Sequence, residues 1–259
     1  MLLLTKAVFA IMIGFLSSTV LGLFLIPLLK KIRLGQKISV FVGETHRKKE
    51  GTPTMGGLIF IIPVLLVMII MYIYNKEISS SLIIVLITFL SYSLIGFIDD
   101  YLIIKRKNNE GLTEFQKLAG QILIALIFFF IYMKSGAEPI VEVYMLGIEF
   151  NLGWFYGIFL LFMLVASSNA VNITDGLDGL AGSLSFIAFI TLGIISYNTG
   201  WLEGYEEVAL FCFSISGSLL GFLIFNLNPA KVFMGDTGSL TLGATLATVA
   251  ILTSHEISL

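Results

Sequence analysis

Charge is what this sequence has least of. Only 12% of its 259 residues are Asp, Glu, Lys or Arg, against about a quarter in a soluble domain, so it has too little polar surface to coat a globule in water. Cysteine is almost missing. Cys212 stands alone in an apolar run, which excludes an internal disulfide and a paired-cysteine zinc site. The two histidines, His46 and His255, lie far apart, leaving a Ser-His-Asp triad or a histidine metal cluster without material. No Walker A loop, repeat or low-complexity tract occurs, and no nucleic-acid partner is expected.

What fills the chain is apolar: 57% of residues are hydrophobic, with a mean hydropathy of +0.99. About twenty residues at 1.5 Å rise cross a bilayer core of roughly 30 Å. Eight runs approach or reach that length, at 7–29, 57–74, 81–98, 118–134, 153–169, 180–198, 207–225 and 238–252. The third and eighth are short and hold Ser, Thr or Gly. The first run is too long for a signal peptide, and its basic cluster Lys30, Lys31, Arg33 follows it, so it reads as a retained span. The expected fold class is all-α, a polytopic transmembrane helix bundle forming a single domain over 1–259.

An outside amino terminus makes the loops after spans one, three, five and seven cytosolic. Twelve of the fifteen Lys and Arg then fall on the inner side; only Lys6, Lys76 and Lys134 do not. Between spans four and five, Val141 to Phe150 partly alternates around Gly147, the pattern of a short outer-face β-hairpin near 140–151.

The aspartates carry the chemistry. There are five, Asp99, Asp100, Asp175, Asp178 and Asp236, and the topology puts all of them at cytosolic ends of spans. One such acid is ordinarily a helix cap; five on one side, at a boundary where acids are costly, point to a site. Adjacent Asp99 and Asp100 repel each other unless a cation compensates, which suits a general base or a metal site. Magnesium takes one or two carboxylates and shares the rest of its shell with substrate phosphates and water. Around Asp236, Gly235 and Gly238 let backbone N–H groups approach an anion. Asn169, Asn172, Asp175 and Asp178 recur every three residues, a comb able to read a polar ring over a helical turn.

These stretches resemble the polyprenyl-phosphate N-acetylhexosamine-1-phosphate transferases. The matching runs are His46-Arg47-Lys48-Lys49-Glu50-Gly51-Thr52-Pro53-Thr54-Met55-Gly56-Gly57, Asp99-Asp100-Tyr101-Leu102 with Asn109 to Thr113 and Gln116-Lys117-Leu118, Asn169 to Leu180, and Asn226 to Ser239. Gly51 to Gly57 and Pro229 to Asp236 favour the phospho-N-acetylmuramoyl-pentapeptide branch. The resemblance implies transfer of a sugar phosphate from UDP-MurNAc-pentapeptide to undecaprenyl phosphate, giving lipid I and UMP, with Mg²⁺ required. It implies a multi-pass enzyme of the bacterial inner membrane, facing the cytoplasm and forming a homodimer. By the same likeness Asp236 holds Mg²⁺, Asp99 is the base for the lipid phosphate, and Asp100 and Lys117 position its head group. Lys49, Thr54, Asn169, Asn172, Asp175, Asp178 and Asn226 line the nucleotide site, and Phe233 stacks on uracil.

Relatives in that family continue with two further spans and a His-rich loop, so the chain is C-terminally incomplete relative to them. Two rivals remain: a sibling transferase using UDP-GlcNAc, and a secondary transporter, which would place its polar groups at the midplane rather than at one face.

Overall fold

The computed structural model describes residues 3–33, 52–106, 110–143 and 146–258. Helices form at all eight expected places: α1 (Leu3–Arg33), α2 (Leu58–Asn75), α3 (Ser80–Arg106), α4 (Glu114–Lys134), α5 (Phe155–Thr174), α6 (Leu180–Asn198), α7 (Tyr205–Asn226) and α8 (Gly235–Leu252). A single 3₁₀ turn, Glu256–Ser258, follows α8. Strands β1 (Ile140–Val143) and β2 (Ile148–Asn151) pair antiparallel, Ile140 opposite Asn151 and Val143 opposite Ile148, which is the expected hairpin.

Six of the eight, α1 and α3 to α7, are long and apolar enough to cross a membrane. The other two depart for different reasons. α2 is apolar but shorter. α8 is built from Gly, Ala, Ser and Thr with scattered Leu, and every residue from Thr237 to Leu252 is buried. A helix that touches no lipid needs no lipophilic surface; small residues instead let neighbouring backbones come close. Three of its threonines satisfy themselves on their own helix: Thr241, Thr245 and Thr248 donate to the carbonyls of Thr237, Thr241 and Ala244.

Two expected boundaries move. α3 does not stop at Ile98 but runs on to Arg106, so Asp99 and Asp100 lie inside a helix. Lys105 and Arg106 in its last turn complement the negative end of the helix dipole and let it continue. α5 likewise continues through Asn169 and Asn172 and ends at Thr174, with Asp175 at its C-cap.

α7 and α8 form the centre. α7 is packed by α1, α2 and α6, and α8 by α3 and α5, while α4 leans on α3 and α5. α1 runs parallel to α7: Ser18 Oγ donates to the Ser218 carbonyl, and a Cβ on Gly22 would strike the Phe225 ring. One end of the bundle therefore collects the carboxyl ends of α1, α3, α5 and α7 with the amino ends of α4 and α8. The opposite end carries the hairpin, the Lys6–Glu206 ion pair at 3.3 Å and the Ser79–Glu207 hydrogen bonds.

Candidate active site

Successive residues on a helix point about 100° apart, and Asp99 and Asp100 accordingly serve different neighbours. Both are buried. Asp99 faces the α3–α4 connection, where Oδ1 accepts from the Leu112 amide at 2.7 Å and stands 3.5 Å from Lys117 Nζ. A Cβ on Gly111 would collide with this carboxylate, so the connection approaches as closely as it does only because Gly111 lacks one.

Asp100 turns to α8. Its Oδ2 accepts from the Thr237 amide at 2.9 Å and the Thr237 hydroxyl at 2.6 Å, and its Oδ1 from Thr54 Oγ1 at 3.2 Å. The first turn of a helix has amides without intrahelical partners, and no side chain of the local N-cap, Met234, supplies one. Asp100 supplies it from another helix. Both its oxygens are engaged, so Asp100 acts as a cap from another helix.

Asp236, in the first turn of α8, joins the cluster. Lys117 Nζ donates to Oδ2 at 2.8 Å and Asn172 Nδ2 to Oδ1 at 2.8 Å. The same Asn172 amide donates to Ser239 Oγ at 2.8 Å. Lys117 is placed by α4, whose start is fixed by a capping box between Thr113 and Gln116. Four helices thus contribute to one chain of contacts, Asp99–Lys117–Asp236–Asn172.

Asp175 completes it. Burial first, and then the negative charges of Asp100 and Asp236, push its carboxyl up to about 7, against a stabilising hydrogen bond from the Gly235 amide. Asp99 and Asp236 share Lys117, while Asp100 and Asp175 stand within electrostatic reach of Asp236.

A second knot sits beside the first. Gly56 and Gly57 donate to the carbonyls of Phe233 and Met234 at 2.9 and 2.8 Å, and the Phe233 amide donates to Pro53 at 2.8 Å. A Cβ on Gly57 would meet the Gly238 Cα at 2.5 Å, so the two runs touch backbone to backbone. Asn226 is buried, accepting from the Gly179 amide and donating to the Val232 carbonyl. Asp178 Oδ2 accepts from Asn228 Nδ2 at 3.0 Å and from the Ala230 amide at 3.3 Å. The comb therefore divides: Asn172 and Asp175 meet the acid cluster, Asp178 shapes the loop leading to half-buried Phe233, and Asn169 sits a turn deeper, donating to Gln121 Oε1 and the Val165 carbonyl at 2.8 Å each. Lys49 lies outside the described residues. His255 lies at the opposite end, its Nδ1 2.6 Å from the Thr253 carbonyl.

Sequence reasoning missed Gln121, Thr237 and Ser239. Gln121 alone had a signal, an amide in an apolar run four residues after Lys117. The other two look like ordinary small residues of a close-packed helix.

Comparison with known proteins adds to this geometry. A sequence model of glycosyl transferase family 4 matches residues 82–254, and the phospho-N-acetylmuramoyl-pentapeptide-transferase signature 1 matches residues 49–61. The phospho-N-acetylmuramoyl-pentapeptide-transferase of Bacillus subtilis strain 168 is 45% identical over 251 residues, 97% of this chain and 76% of that protein. The Bacillus licheniformis protein of the same name is 44% identical over the same shares, and one from Listeria monocytogenes serotype 4b is 45% identical over 92% of this chain and 72% of its own.

Proposed function

Since this chain belongs to the phospho-N-acetylmuramoyl-pentapeptide-transferases of glycosyl transferase family 4, we propose that it moves phospho-MurNAc-pentapeptide from UDP-MurNAc-pentapeptide to undecaprenyl phosphate, giving lipid I and UMP. The observation that carries the reading is the Asp99–Lys117–Asp236–Asn172 chain at one end of the bundle. There a phosphate on a membrane lipid can meet a water-borne nucleotide.

An oxygen of the lipid phosphate attacks the sugar-bearing phosphorus, the bond from that phosphorus to the oxygen of UMP breaks, and UMP leaves. Asp99 takes the proton of the lipid phosphate, which raises its charge for attack. Lys117 offsets the repulsion between two phosphorylated reactants. Asn172 orients Asp236, and the loop held by Asp178 and Asn226 presents Phe233 to the uracil. Asp100 and Thr54 hold α8 in place, and by family likeness Lys49, Thr54 and Asp175 are assigned to nucleotide binding.

The residues fit magnesium. Asp236 lies beside Asp99, Asp100 and Asp175 with Lys117 as its cationic partner, and magnesium takes one or two carboxylates and keeps waters and substrate phosphates. Asp236 would hold it, and when bound it would neutralise charge on the phosphates. Basic residues support a cytoplasm-facing site in the inner membrane: Lys30, Lys31, Arg33, Lys105, Arg106 and Lys231 all stand at the site's end.

The test is transfer of labelled sugar phosphate by the purified chain in detergent with undecaprenyl phosphate and magnesium. Asp99→Asn and Asp236→Asn should each lower turnover by about a thousandfold or more while the protein stays folded. Near-normal turnover in either removes its assigned role, and preference for UDP-GlcNAc over UDP-MurNAc-pentapeptide makes the chain a sibling enzyme instead.

A further inference from the structure

One helical turn deeper than the acid cluster, α4 and α5 are joined by a second polar contact. Gln121 is only 1% exposed, and its Oε1 accepts from Asn169 Nδ2 at 2.8 Å. Tyr92, wholly buried on α3, reaches the Gln121 carbonyl at 3.4 Å. Gln121 Nε2 is buried with no acceptor among the described residues. Leucine would remove the unpaired Nε2 but would also take the acceptor from Asn169 Nδ2, and in a membrane interior a stranded donor has no water to turn to. The amide is therefore explained by its bond to Asn169 and not by apolar packing.

The spacing supplies a reason. Gln121 follows Lys117 by four residues on α4, and Asn169 precedes Asn172 by three on α5, so each pair shares a helix face. The Gln121–Asn169 bond thus lies directly beneath the two side chains that take the two oxygens of Asp236. We propose that Gln121, with Asn169, is a positioning pair: it fixes the rotation of α4 against α5 so that Lys117 and Asn172 both grip Asp236. Neither amide touches the reacting groups. This inference rests on the transferase reading for its kinetic consequence and on the contacts alone for its structural one.

Two measurements on the same variants separate those parts. In Gln121→Leu and Asn169→Leu, kcat should fall about tenfold, as for loss of an outer residue that orients an inner one, with KM for the nucleotide within about twofold. The double variant should be no worse than either single one, because both break one bond. The swapped pair, Gln121→Asn with Asn169→Gln, keeps the combined length and should restore most of the rate. Independently of turnover, acylation of Lys117 by an amine-directed reagent, mapped by mass spectrometry, should speed up in Gln121→Leu as the amine leaves its carboxylates.

If wild-type protein transfers nothing but Lys117 acylation still responds, the transferase reading fails and the positioning pair stands. Unchanged kcat with unchanged Lys117 reactivity overturns the pair. So does a loss of rate that tracks a fall in thermal midpoint and is not restored by the swap.

Discussion

Asp99 and Asp100 are neighbours in sequence with opposite duties, and the difference is measurable. Asp100→Ala strands the Thr237 amide and the Thr54 hydroxyl, a loss of about 1–3 kcal/mol, so its thermal midpoint should drop along with its activity. Asp99→Ala should lose activity with a smaller drop; equal drops would mean Asp100 is no cap. Glu256 gives a second residue-scale test, at the other end of the molecule. It is buried, with Tyr156 Oη donating to Oε1 at 3.2 Å, and burial raises its carboxyl from 4.5 to about 7. The folded protein then binds a proton that the unfolded chain has released, so this contribution is full below pH 4.5 and is lost as pH rises through about 7. Glu256→Gln should stabilise the fold at pH 8, by up to about 3 kcal/mol, seen as a raised thermal midpoint, and leave the midpoint unchanged at pH 4. The aspartates were legible as a set because so few acids sit in so apolar a chain. Their division of labour was not, since it depends on which way a helix is rotated, and two adjacent letters do not carry that.

At the scale of elements, the apolar runs located all eight described α-helices, but the two boundaries nearest the site moved. Paired acids after Ile98 look like the end of a span, yet α3 carries on because its acids are buried against other helices and its last turn is basic. The apolar run stops at Asn169, yet α5 continues through Asn172 to Thr174, the helical turn expected for the comb. In both places tertiary partners satisfy polar groups that a single sequence shows as breaks. The contact between the runs before α2 and α8 was also invisible, as it uses backbone groups. It is brittle: Gly57→Val has no room beside Gly238. That variant should lose most of its folded protein on gel filtration in detergent, whereas Gly200→Ala, with open space around it, should behave as wild type. A well-folded Gly57→Val would show that the two runs can separate.

For the whole molecule, the arrangement of ends predicts which surface faces which compartment. Cys212 is fully buried, so an added cysteine can be read without removing it. Glu149→Cys, on the hairpin, should react with a membrane-impermeant maleimide in intact cells. Lys231→Cys, beside the acid cluster, should react only after the cells are opened, and the reverse pattern would invert the proposed topology. The enclosure of α8 has an effect on assembly. Its threonine-rich sequence would be poorly held by lipid alone, and seven of the described helices precede it in the chain. The carboxylate assigned to the cation thus arrives in a slot that earlier segments must already have formed. A half-assembled protein has no working centre with which to bind or waste its substrates.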